Sequence, residues 1–252
     1  MSLAIAVAGK GGTGKTTVAA LIIGYLKNKF NGSILAVDAD PTANLEEAIG
    51  LEIKATIGAT LAKFREELSN LPQGIPKNEY LESKLDEILV EGEKVDLLVM
   101  GCKEGSGCYC YPNQILRQYL DMLAKNYSFL IIDNEAGMEH LSRRMTRELD
   151  FLFLVSDPTV RGIRTAGALR DLAKELELNI KEIFLIIDKL HGELHPLVLE
   201  EIKKQRLELI KTIPEDAMIV DYSLSGKPLT GLPETSVATR AINELMKQII
   251  AV

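Results

Sequence analysis

Tryptophan is absent from this chain and aromatic residues make up only 5% of it, so no stacking platform for single-stranded nucleic acid is expected. Its 29 lysines and arginines are outnumbered by 36 aspartates and glutamates. The net charge of -7 argues against a general nucleic-acid surface, which would need a basic patch. No apolar run approaches the roughly 20 residues of a membrane span. The chain turns into a strand-like run at Leu3, which leaves no room for a signal peptide. Three cysteines, an odd number, fit a reducing compartment. Internal repeats and low-complexity tracts are also missing. The expectation is a cytoplasmic protein with no membrane or nucleic-acid partner.

What is present is ordinary in bulk: 252 residues, 46% hydrophobic and 26% charged, enough for a single α/β domain over residues 1–252. Apolar runs at Leu3–Ala8, Ser33–Val37, Val95–Met100, Phe129–Ile132, Phe151–Val155, Ile183–Ile187 and, more weakly, Leu207–Lys211 alternate with helical stretches. They are continuously apolar, as parallel strands buried on both faces are. The pattern predicts a doubly wound, mostly parallel α/β sheet, with ligands beyond the carboxyl ends of its strands. Residues 55–92 read as a polar insertion, a pair of surface helices broken at Leu71-Pro72-Gln73-Gly74-Ile75-Pro76. The C-terminal stretch Val237–Ile250 carries apolar residues at helical spacing; packing on the sheet is favoured over membrane targeting, since Arg240 and Lys247 are its only cations.

The run Leu3–Ala8 feeds directly into Gly9-Lys10-Gly11-Gly12-Thr13-Gly14-Lys15-Thr16-Thr17, and an apolar-periodic helix follows. This is a phosphate-binding loop in its proper strand-to-helix context. Glycines let the backbone approach phosphate oxygens, and the helix N-terminus adds partial positive charge. Lys15 is placed to neutralise the β- and γ-phosphates, and the Thr16 hydroxyl to ligate magnesium. The spacing predicts a nucleoside triphosphate site. Lys10 stands where such a loop has no structural need of a cation; a solvated loop lysine is the plain alternative.

The string Lys-Gly-Gly-Thr-Gly-Lys-Thr resembles the deviant Walker A motif of the SIMIBI ATPases, the class containing MinD, ParA and nitrogenase iron protein. The resemblance implies that Lys10 reaches across a homodimer to the partner's phosphates, making hydrolysis conditional on dimerisation. Two more strand ends carry carboxylates, Asp38-Ala39-Asp40-Pro41 and Asp133-Asn134-Glu135-Ala136-Gly137. By resemblance, Asp40 is the switch I residue that orients the attacking water. Asp133 is the Walker B aspartate, Gly137 the switch II pivot, and Asp38 lies close to the magnesium shell. Oxygen ligands and retained waters suit magnesium.

The class also implies base contacts at two places. The strand that usually ends in an adenine-pairing asparagine here reads Ile186-Ile187-Asp188-Lys189. An amide can donate and accept, whereas an ionised carboxylate only accepts, which suits the donor face of guanine at least as well. The second loop holds Pro214 and Glu215, then Gly226-Lys227-Pro228. ATP is the nucleotide that the rest of the pattern implies.

All three cysteines lie beyond the third strand, in residues 101–112: Cys102, Cys108 and Cys110. Cys108 and Cys110 form a C-x-C just before a helix opened by Pro112. A helix N-terminus favours thiolate, the metal-binding form. One C-x-C supplies half a tetrahedral site, and a two-fold axis would complete it with its copy. Small buried thiols are the alternative; Cys102 is a third ligand or inert, and inert is favoured because the four-thiolate site is complete without it. His140, His191 and His195 are isolated and read as caps or surface residues.

The deviant Walker A, the string Asp133-Asn134-Glu135-Ala136-Gly137-Met138-Glu139-His140-Leu141-Ser142-Arg143-Arg144 and the C-x-C together resemble the CooC family, ATPases that mature the nickel site of carbon monoxide dehydrogenase. That resemblance implies an ATP-driven homodimer holding nickel, or zinc in its place, on paired Cys108 and Cys110, and releasing it to the dehydrogenase after hydrolysis. Arg143 and Arg144 either report nucleotide state or belong to a solvated face. Two rivals are a spatial ATPase like ParA or MinD, and an iron–sulfur carrier related to nitrogenase iron protein.

Overall fold

The computed structural model describes residues 3–40, 44–67, 76–101, 110–134 and 148–250, with the side chains at 110–114, 116 and 117 outside that description. In chain order the elements are β1 (Leu3–Gly9), α1 (Lys15–Lys29), β2 (Ile34–Asp38), α2 (Leu45–Ile49), α3 (Ile57–Glu67), α4 (Lys77–Ile88), β3 (Val95–Val99), α5 (Cys110–Leu123), β4 (Phe129–Asp133) and β5 (Leu149–Ser156). Then come α6 (Val160–Glu175), β6 (Ile180–Leu190), α7 (Pro196–Lys204), β7 (Leu209–Pro214), α8 (Ala217–Leu224) and α9 (Val237–Ile250).

The seven strands form one sheet in the order β3-β2-β4-β1-β5-β6-β7, every pair parallel. All seven expected strands are there, and the sheet is doubly wound. β1 lies at its centre, and alternate residues explain the unbroken apolar runs. Ala4, Ala6 and Ala8 face one core layer; Ile5 and Val7 face the other. Both faces are dry because helices cover both.

The first layer contains apolar faces of α3, α4, α5, α6 and α7. The second is built on α1, α2 and α9. Here the structure corrects one expectation. α3 and α4 are a helix pair, but they are no surface appendage: Ile57, Leu61 and Phe64 of the first and Leu81, Leu85 and Ile88 of the second are buried in the main core. Their polar average hid a narrow apolar stripe, which is all that a helix lying on a sheet requires.

α9 packs as expected. Ala238, Ala241, Ile242, Leu245, Met246 and Ile249 are all buried. A residue such as Leu245 contributes about 1.5–3 kcal/mol by that burial. Among the described residues, no helix is long and apolar enough to cross a membrane.

The parallel register brings the carboxyl ends of the central strands to one edge. Asp38 of β2 pairs with Asp133 of β4, and Val7 of β1 with the same Asp133. The β1–α1 turn lies at that edge too.

Candidate nucleotide site

The turn from β1 to α1 is built by glycines. A Cβ on Gly9 would stand 2.2 Å from the Val155 carbonyl oxygen, so only glycine lets β1 lie this close to the end of β5. Gly14 is the N-cap of α1, with φ 90°. It has no side chain with which to cap, whereas Thr159, His195 and Asp216 each accept a hydrogen bond from the first turn of α6, α7 and α8. The first-turn amides of α1 are therefore left for an anion.

Within the loop the Lys10 carbonyl is the internal anchor. It accepts from the Thr13 hydroxyl at 2.8 Å, the Thr13 amide at 3.3 Å and Lys15 Nζ at 3.5 Å. Thr13 and Lys15 are buried, but the Lys10 residue is exposed. Thr16 donates its hydroxyl to Asp133 Oδ2 at 2.6 Å. Asp133 Oδ1 is buried and has no partner among the described residues. Burial pushes the Asp133 carboxyl up to about 7; the Thr16 hydrogen bond and Lys15 work against that, Asp38 and Asp40 with it. A buried carboxylate with one orphaned oxygen beside a threonine hydroxyl is a donor set that fits a hard cation.

Asp38 lies beside Asp133 in the sheet register, and its oxygens are bonded to backbone amides. Its Oδ1 accepts from the Asp40 amide and its Oδ2 from the Leu45 amide, both at 2.9 Å. Burial raises its pKa despite these bonds. These bonds fold the β2–α2 connection that carries Asp40. Asn134, quoted only as part of a string in the sequence, is buried beside Asp133. Its amide nitrogens, main-chain and side-chain, both donate to the Val7 carbonyl, at 2.9 and 3.0 Å. Its position directly after the strand-end aspartate was the signal for it.

On the base side, Asp188 and Lys189 both reach the phosphate loop. Lys189 Nζ donates to the Gly12 carbonyl at 2.9 Å, and Asp188 Oδ2 lies 1.9 Å from where a Cβ on Gly14 would be. Burial pushes the Asp188 carboxyl up to about 6, opposed by the Lys189 amide and ammonium. Glu215 pairs with His191, and its amide donates to the Leu190 carbonyl at 3.2 Å. Asp216 ties this loop to α9. Burial acts against its charge, but bonds from the Ser236 hydroxyl and the Ala238 and Met218 amides hold its carboxyl below the usual range.

A cleft of about 830 Å³ opens beside the loop, lined by Thr16, Thr17, Glu46, Ser223, Gly226 and Lys227 among others. It takes in part of the expected second base loop; Pro214, Glu215 and Asp188 do not line it. His195 is a helix cap, as expected, its Nδ1 accepting from the Leu197 amide at 3.2 Å. Gly137, His140, Arg143, Arg144, Cys102 and Cys108 lie outside the described residues, and Cys110 opens α5. Among the described residues no three His, Cys, Asp or Glu side chains gather as a metal site.

The family model described as "CobQ/CobB/MinD/ParA nucleotide binding domain" matches residues 4–229. The chain belongs to that family. It is 46% identical over 252 residues to an uncharacterized ATP-binding protein of Methanocaldococcus jannaschii, covering 98% of both chains. It is 30% identical over 226 residues to the carbon monoxide dehydrogenase accessory protein CooC of Rhodospirillum rubrum, covering 85% of this chain and 84% of that one. Among solved structures, the ParA family ATPase of Chlorobium tepidum superposes with a TM-score of 0.73 at 21% identity, over 96% of this chain and 97% of that one. MinD of Pyrococcus horikoshii, solved with Mg-ADP, gives 0.71 at 22% identity, over 99% and 96%. The last two establish the fold. Loop, fold and family together make this chain a phosphate-loop ATPase.

Proposed function

We propose that the chain is an ATP-gated homodimer that carries nickel, or zinc, on Cys108 and Cys110 and delivers it to a carbon monoxide dehydrogenase. Magnesium bound with the nucleotide would be held by Thr16 directly and by Asp133 and Asp40 through waters, and would supply positive charge to the phosphates. The chain's own residues do the rest. The open N-terminus of α1 and Lys15 bind the phosphates. Asp40, presented by the Asp38-folded turn, orients water. Lys10, exposed and unneeded within its own loop, supplies charge across the dimer.

The observation that carries the metal reading is the place of the C-x-C. In the sequence it follows the third strand; Cys110 opens α5, and the Met100 amide just past the end of β3 donates to the Asp38 carbonyl at 2.8 Å. β3 pairs with β2, whose end leads into the turn that carries Asp40. The relative named as a carbon monoxide dehydrogenase accessory protein supports the dehydrogenase client. Soft thiolates hold either metal, zinc with less geometric demand. The membrane-bound alternative is disfavoured by α9, whose apolar face is already buried in the core.

Native mass spectrometry of anaerobic protein, titrated with nickel and with zinc, with and without a non-hydrolysable ATP analogue, tests this. One metal per dimer, lost in Cys108→Ser and in Cys110→Ser, is the expected result. A nucleotide-dependent dimer that takes up no metal would sink the metal reading and leave a spatial ATPase.

A further inference from the structure

Strand β6 is distorted near its end. It pairs with β7 at Ile187↔Thr212 and again at Leu190↔Pro214, with a register shift between. Asp188 and Lys189 are thus set against Ile213 alone, which is a bulge. Bulges of this kind turn side chains in new directions beside functional sites. Lys189 carries the distortion with φ 57°, a left-handed conformation that a non-glycine residue keeps only where its surroundings impose it.

Both bulge residues are directed at the phosphate loop, and at its two left-handed glycines. Gly12 has φ 80° and Gly14 φ 90°. Lys189 Nζ holds the Gly12 carbonyl, and the Asp188 carboxylate fills the space over Gly14 that any Cβ would take. Glycines make this loop able to wrap phosphate and equally able to collapse into other shapes. A free Gly12 carbonyl could turn toward the anion and repel it; bound to an ammonium, it is held.

We propose that the β6 bulge is a clasp, with Lys189 as a positioning residue that pre-sets the phosphate loop for the nucleotide. This rests on nucleotide binding at the loop and is independent of the metal reading. Pre-setting raises affinity by removing the ordering that the ligand would otherwise have to impose. A merely structural tie between β6 and the β1–α1 turn would show in stability and leave affinity untouched.

The test compares Lys189→Met, Lys189→Gly and Lys189→Arg in the full chain, by calorimetric titration with magnesium and a non-hydrolysable ATP analogue, and by melting of the ligand-free protein. Gly suits the left-handed φ, so that variant keeps the bulge while losing the ammonium, and it melts no lower than wild type. Met and Gly should each weaken nucleotide binding by about ten- to a hundred-fold, the scale of one charged hydrogen bond, with Arg retaining most of the affinity. A Gly variant that binds within about twofold of wild type overturns the clasp, whatever Met does, because a charged bond of the expected size could not hide there. Failure of the wild type itself to bind the analogue would remove the ATPase assignment along with the clasp, so the two failures are told apart.

Discussion

The Thr16 hydroxyl and Asp133 Oδ2 meet at 2.6 Å, joining the first turn of α1 to the end of β4. They leave Asp133 Oδ1 buried and without a partner among the described residues. An interior carboxylate in this state is half satisfied, and its charge destabilises the fold until a cation arrives. The ligand-free site is therefore strained by the feature that fits it for magnesium.

Asp133→Asn should make the ligand-free protein more stable. The folded pKa, about 7, lies above the ordinary carboxyl value, so the folded state holds its proton longer than the unfolded chain does. Wild-type stability then falls as pH rises from about 4 to about 7 and levels off above. The gain in the variant grows over the same window, reaching roughly 2–4 kcal/mol at pH 8. Melting curves at pH 5 and pH 8 without nucleotide or magnesium would check this, and an equal gain at both values would refute the burial argument. Hydrolysis should be lost in the same variant.

Lys10→Ala should leave nucleotide affinity within about twofold, since the Lys10 side chain makes none of the bonds that the Lys10 carbonyl makes, yet slow hydrolysis on the order of 100-fold or more. A mixing experiment separates action in trans from action in cis. Asp40→Ala subunits should be inactive yet still bring a Lys10, so adding them to Lys10→Ala subunits should restore hydrolysis at the sites that keep Asp40. No recovery on mixing, with mixed dimers shown to form, would place Lys10 in cis or outside catalysis.

The strands and the phosphate loop were legible because each is a one-dimensional pattern. Burial on both faces makes the middle stretches of β1 to β6 largely apolar, and the loop's glycines and lysines are spaced along one turn. The edge strand β7 was read two residues early, as Leu207–Lys211, because it is mostly half-buried and Leu207, which precedes it, also packs on the core. The backbone bonds of Asp38 were not legible, because a strand-end carboxylate looks the same whether or not it accepts from backbone amides. The grip of Asp188 and Lys189 on Gly14 and Gly12 was hidden more deeply. It joins positions some 175 residues apart through a bulge, and neither pairing nor φ is written in local sequence.

Asp188→Asn tests the base side. Burial raises the Asp188 carboxyl to about 6, so ionisation in the folded protein costs stability increasingly from about pH 4 to pH 6 and at a constant level above. The amide carries no such cost. The variant should gain roughly 1–3 kcal/mol at pH 7.5, shrinking toward pH 4.5. An amide can donate and accept where the ionised acid only accepts, so binding of an ATP analogue relative to a GTP analogue should also rise. Competition titrations at pH 7.5 measure that ratio; an unchanged ratio would show that Asp188 serves the loop and does not read the base.

Gly101→Ala tests the connection between the β2 turn and the cysteine loop. The Met100 amide donates to the Asp38 carbonyl at 2.8 Å, and the Met100 carbonyl accepts from the Gly58 amide at 2.9 Å. Gly101 follows with φ 68°, and a Cβ there would lie 2.4 Å from both Cβ and Oγ1 of Thr56. An alanine must therefore displace Thr56 or change the exit direction of the chain that leads to Cys108 and Cys110. The left-handed conformation and the clash together should lower stability by about 1–3 kcal/mol. Nucleotide affinity should stay within about twofold in the folded protein, because the three atoms nearest a Cβ on Gly101 all belong to Thr56 and none to the phosphate loop. If the end of β3 carries nucleotide state to the cysteines, the difference in nickel affinity with and without the ATP analogue should shrink in this variant. A full-sized difference would mean that nucleotide and metal communicate by another path, such as the dimer contact proposed for Lys10.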